Sequence, residues 1–302
     1  MKKPTDDIFK KIEEEIARQG GTIGSLDELN KIARQVSDDH NESPHPDFEG
    51  LSPLQMYYIV NDPASEQIVG FRDVADTQIV SELPMVRTTE IILNHIDPAK
   101  GLKLTATGKL PRKVVGEIYS TGLFKSEYER ILPPKVINED DFIPAGMGHL
   151  LLRVAGFVRV SKNKMIYTRK GKGAMEDPVE LFSGLYRAFA YRFNKAWFDY
   201  YESEEIGNVG FSFVIYLLSR YGDEIRSSDF YAEKYFKAFP MLPILTERFP
   251  NPNESCFEVR VFSHGLYLFG LVDKIVTKSE GYTRDYNYRR SEAFENIFAL
   301  KL

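Results

Sequence analysis

Between Arg153 and Lys172 the chain carries seven cationic side chains and no acidic one: Arg153, Arg159, Lys162, Lys164, Arg169, Lys170 and Lys172. Cations at this density suit a polyanion, because each Lys or Arg that neutralises a phosphate releases a counterion and so gains affinity without reading sequence. The residues between them indicate what holds them. Phe157 to Val160 and Met165 to Thr168 are rich in β-branched and aromatic residues, and Ser161 to Lys164 form a polar turn, which is a hairpin pattern. Ahead of it, Leu150, Leu151, Leu152 and Val154 cover a buried helix face, and Gly156 supplies the positive φ that ends the helix. Helix, strand, turn, strand is the order of a winged helix, with the charge on its wing.

Other reactive side chains carry less. His40, His45 and Asp47 lie in DDHNESPHPDFEG, where a proline-containing loop does not fix metal ligands and no second cluster supplies a fourth one. The segment GKGKGAM from Gly171 has a phosphate-loop flavour, but its lysines precede Gly and Ala, not Ser or Thr. His149 and His264 sit in apolar stretches ahead of Gly156 and Gly270, and the favoured reading for both is a core or helix-end histidine. The single Cys256 reads as a small apolar filler in a strand. A Walker phosphate loop, a paired-histidine zinc helix and a nucleophile elbow are all absent from the sequence. We therefore expect no catalytic residue, no metal and no cofactor.

The elements that position the cations come from a chain of 302 residues, enough for two or three packed subdomains. No apolar run approaches the roughly 20 residues of a membrane span, and the charged opening segment is no secretory signal. With one cysteine, the expected location is the cytoplasm. The net charge of −5 arises within residues 1–50, so a nucleic-acid role rests on local patches alone.

Residues 1–50 read as an acidic helical hairpin and linker. Its first helix carries a stripe of Ile8, Phe9, Ile12 and Ile16, the second is capped by Ser25 with Glu28 three residues on, and Asp38 to Gly50 is the linker. Residues 51–175 read as a helical region with the first winged-helix-like unit. Within it, helices start at Ser52-Pro53, Pro84 and Leu110-Pro111, Leu102 and Leu104 alternate as in a short strand, and Ser126 to Asp141 forms an exposed loop. Residues 176–302 read as an aromatic-rich helical region with the second such unit. A long buried helix is expected over Glu176 to Tyr201, carrying Phe182, Leu185, Tyr186, Phe189, Phe193, Trp197, Phe198 and Tyr201. Gly270-Leu271-Val272 answers Gly156-Phe157-Val158, a weak internal duplication. Around the second hairpin, Lys274, Lys278, Arg284, Arg289 and Arg290 are matched by Asp273, Glu280, Asp285, Glu292 and Glu295. The fold class expected is mainly α (α+β), with two winged-helix-like helix and β-hairpin units.

Gly50-Leu51-Ser52-Pro53 with Gln55-Met56, and Leu102-Lys103-Leu104-Thr105 with Gly108-Lys109-Leu110-Pro111, resemble a family of uncharacterised bacterial proteins that pair these motifs ahead of a winged-helix-like region. The resemblance spans roughly residues 50–220 and implies a fold and a bacterial source, with no functional residue to carry over. Two functions are expected. One is a non-enzymatic protein-interaction or scaffolding role with a protein partner. The other is nucleic-acid binding through the basic hairpin 159–172, by backbone contact, since the helix before it offers little beyond His149 and Arg153 to reach base edges.

Overall fold

The computed structural model describes residues 4–21, 23–73, 75–124, 137–242, 251–280 and 283–301. The chain is mainly helical with small antiparallel sheets, an α+β fold. Packing divides it into two compact units, Met1–Asp62 and Pro63–Leu302. Among the described residues no helix is long and apolar enough to cross a membrane.

In the first unit, α1 (Pro4–Arg18) and α2 (Leu26–Glu42) form the expected helical hairpin, with Ile32 and Val36 buried. Phe9, expected on the inward stripe, is exposed. The Ser25 hydroxyl accepts the Glu28 amide and starts α2, which runs on into the expected linker as far as Glu42. A 3-10 turn follows, its cap supplied by His45 Nδ1, which accepts the Asp47 amide at 3.2 Å. The Gly50 to Met56 motif is a complete capping box. The Ser52 hydroxyl accepts the Gln55 amide and the Gln55 side chain accepts the Ser52 amide, which fixes the start of α3 (Pro53–Asn61).

The second unit contains the same arrangement twice. In the first repeat α5 (Pro84–Asn94) leads to β2 (Leu102–Lys103), then α6 (Arg112–Ser120), α7 (Ile143–Val154) and the hairpin of β3 (Val158–Ser161) and β4 (Lys164–Tyr167). In the second, α10 (Phe211–Tyr221) leads to β5 (Arg226–Ser227), then α11 (Ser228–Ala238), α12 (Pro252–Phe257) and the hairpin of β6 (Val272–Glu280) and β7 (Thr283–Arg290). Each two-residue strand pairs with the second strand of its hairpin, giving sheet orders β2-β4-β3 and β5-β7-β6. The turns into the hairpins match in detail. Gly156 has φ 75° and Gly270 φ 74°. The Phe157 amide donates to Leu152 and the Leu271 amide to Leu266, the six-to-one bond of a left-handed helix terminus. The expected duplication is therefore present as geometry.

The remaining elements tie the repeats together. A short strand, β1 (Val69–Phe71), pairs antiparallel with β8 (Phe298–Leu300) at the far end of the chain. Helix α9 (Pro178–Tyr191) buries Phe182, Leu185, Tyr186 and Phe189, and its rings meet Phe269 from the second repeat at 5.2 to 6.3 Å. Three expectations are corrected here. Helix α9 stops at Tyr191, because Asn194 caps a new 3-10 turn over Lys195–Phe198 by accepting the Ala196 amide, and this turn leaves Trp197 68% exposed. Cys256 is buried in α12, not in a strand, and burial pushes its thiol up to about 12. The helix before Gly270 is wider than expected, continuing from α12 as a π-helix over Glu258–Leu266 with Arg260 buried at its centre and clamped on Asp199.

Candidate functional site

The hairpin owes its shape to its turn. Lys162 and Asn163 both have positive φ, 50° and 57°, the backbone of the two-residue turn whose twist matches a hairpin. The Asn163 side chain donates to the carbonyls of Leu104 and Thr105, which pins the turn to the end of β2. Alternation along the strands then sorts the side chains. Val158 and Met165 face the core, while Arg159 and Lys164 face outward with Ile166.

All seven predicted cations are exposed. The sheet brings Arg159 and Lys164 to one face, puts Lys162 at its tip, and places Arg169, Lys170 and Lys172 on α8 (Arg169–Ala174), the short helix directly after β4. Arg153 stands apart, near the end of α7. Lys170 is already engaged, since its ammonium donates to the Ala155 carbonyl at 3.1 Å and lies over the Phe157 ring. It thereby caps α7, where a helix dipole favours a cation. The other six make no ion pair among the described residues. An eighth cation, which the sequence reading missed, joins them: Lys103 on β2 is directly opposite Lys164. Like charges facing across a ladder destabilise a sheet unless something anionic lies on them. Its signal in the sequence was the Leu102/Leu104 alternation, which put Lys103 on an outward face without saying which strand lay beside it.

The phosphate-loop flavour of Gly171 has a packing origin. A Cβ at Gly171 would lie 1.9 Å from the Phe157 carbonyl oxygen, so only glycine lets α8 approach the hairpin base. The Thr168 hydroxyl caps α8 through the Gly171 amide and donates in turn to the Gly156 carbonyl.

Helix α7 presents little of itself. Most of its side chains are buried, its Gly148 abuts Thr88 of α5, and Phe198 closes over Gly146. Beside that closure lies a cavity of about 190 Å³ lined by His149, Leu150, Arg153, Trp197 and Phe198. Glu139, expected in an exposed acidic loop, is buried there: it accepts the Leu110 amide, and both its carboxylate oxygens lie 3.1 Å from His149 Nδ1. The carboxylate accepts only, so Nδ1 carries the proton and Nε2 is the free nitrogen, which is buried without a partner. Lys109 at the same cavity is paired with Asp140 at 2.6 Å. The remainder of the expected loop, residues 126–136, lies outside the described residues.

The second hairpin is built alike but charged differently. Arg289 pairs with Asp273 across the strands at 3.0 Å, and Arg290 is held by Asp223 and Glu295. Lys274 lies 3.8 Å above the Tyr286 ring and donates to Ser263. The side chains of Lys278 and Arg284 lie outside the described residues.

Residues 81–180 match the model of the Y4jL N-terminal domain, an uncharacterised family. The matched span holds the first repeat, the Leu102 to Pro111 motif and all seven cations, while the Gly50 to Met56 motif falls outside it. No curated protein and no solved structure matches the chain.

Proposed function

We propose that the two repeats are winged-helix units and that the first uses its wing to contact the phosphate backbone of nucleic acid without reading sequence. Three features support the fold assignment: the order helix, strand, helix, helix, hairpin; the pairing of the short strand with the second hairpin strand; and the matched glycine turns. The observation that carries the functional reading is the set of six exposed cations with no acid partner among the described residues, joined by Lys103 facing Lys164. An ordinary solvated face mixes its charges and pairs many of them, as the second hairpin does. The burial of α7 supports backbone contact over base readout, since Arg153 is its only fully exposed side chain.

The test is binding of the whole chain to a random-sequence DNA duplex across a salt series. Engagement of about five phosphates gives a log-log slope near −4 to −5, about equal for unrelated sequences. Absence of binding at low salt overturns the reading and leaves docking of a protein partner, the other function expected from the sequence.

A further inference from the structure

We infer that the cavity between α7 and the Lys195–Phe198 turn receives one unstacked base of a single-stranded nucleic acid whose phosphates lie on Arg153 and the first hairpin; this rests on the backbone-contact reading above. The cavity of about 190 Å³ is smaller than the roughly 300–1,000 Å³ of sites for drug-sized ligands, so it suits a single ring system. Apart from Arg153, its walls offer little net charge. Lys109 is neutralised by Asp140, and the Glu139 carboxylate is turned onto His149. A free phosphate entering here would meet two carboxylates, whereas a neutral heterocycle would not.

His149 lines this cavity, and its buried Nε2 has no partner among the described residues. Nδ1 donates to Glu139, which leaves Nε2 as the ring nitrogen without a partner among the described residues, and every base has an amino or imide N–H to offer an imidazole nitrogen. A buried acceptor without a partner is costly, and a base edge would satisfy it. Trp197 on the rim is mostly exposed beside Phe198, although an indole of its size is ordinarily covered. Aromatic side chains on which bases stack, set beside a positive groove that tracks the backbone, are the common device for holding single strands. Arg153, which lines the cavity, is exposed and makes no ion pair among the described residues, so it offers a cation beside the ring site.

Trp197 is the only tryptophan of the chain, so tryptophan emission, excited selectively over that of the tyrosines, reports on this site alone. The experiment titrates the full chain with a labelled single-stranded 15-mer and with the duplex of the same sequence, following both label anisotropy and tryptophan emission. The single strand should quench the emission and the duplex should not. Trp197→Leu, which removes an exposed ring and leaves the core intact, should weaken single-strand binding about tenfold, the worth of one base stack, and leave duplex binding unchanged. His149→Gln should weaken single-strand binding in the same direction. Duplex binding with the expected salt slope but no quenching by the single strand overturns the base site and leaves backbone contact standing. Equal losses on both substrates in Trp197→Leu overturn it as well. Failure of both substrates to bind overturns both proposals.

Discussion

The two repeats share a strand order, a glycine turn and a hairpin, yet they have spent their charges in opposite ways. In the first, six of the seven predicted cations pair with no acid among the described residues, and Lys103 is set against Lys164. In the second, Arg289 and Arg290 are bound to carboxylates, and a cavity of about 600 Å³ against the hairpin is lined by Asp229, Glu254, Glu258 and Asp285. The backbone plan is thus indifferent to surface charge, which is what permits one copy to carry a cationic face while its twin stays neutral or acidic. The matched histidines diverge too: His149 is oriented by Glu139, whereas His264 Nδ1 has no partner and burial pulls its pKa down to about 4.

The largest expected effect concerns the core of the first repeat. Leu151→Ala removes a fully buried side chain from α7 and should cost on the order of 3 kcal/mol, while Trp197→Ala should change the denaturation midpoint little, since its ring is mostly in solvent. Equal losses in urea titrations of the two variants would mean that the indole is packed and the rim of the cavity closed.

A second prediction sharpens the difference between the histidines. His264 is held neutral in the folded chain and takes up a proton near pH 6.5 once unfolded, so the unfolded chain binds more protons between about pH 6.5 and 4. Its contribution is intact above that window and lost as pH falls through it, amounting to about 2 kcal/mol after allowance for its partial exposure. Stability measured from pH 7 to 4 should therefore fall less steeply in His264→Phe than in the native chain. An identical pH profile would show that His264 is solvated when folded.

A smaller effect is expected at the turn. Asn163→Ala loses two hydrogen bonds to β2 and places alanine at positive φ, for a cost of about 1 to 2 kcal/mol. Loss of thermal stability below a few tenths of a kcal/mol would show that the first hairpin does not depend on its anchor.

Much of this geometry could be read from the residues. Gly156 and Gly270 fell where helices end, the β-branched strings became strands within a residue or two, and the Ser52, Pro84 and Pro111 starts mark real helices. Features set by distant partners could not be read. The two-residue strand β5 has no period to read, and although the Leu102/Leu104 alternation marked β2, the neighbour of each is decided by the hairpin that it joins. The apolar spacing through Phe193 to Tyr201 continued past Tyr191, but the local capping by Asn194 ended the helix and turned Trp197 outward. The burial of Glu139 likewise followed from its contacts with His149 and the Leu110 amide, not from the acidic run in which it sits.

The contrast between the repeats is tested most directly by the salt dependence of duplex binding in two double variants. Lys162→Ala with Lys164→Ala should weaken binding about equally for all sequences and make the log-log slope shallower by about two, with the fold unchanged. Lys274→Ala with Arg289→Ala in the second hairpin should leave affinity and slope as they are, because those cations are already occupied. If the two variants lose affinity alike, or neither changes the slope, the free cations of the first hairpin do not contact phosphate and the account is contradicted.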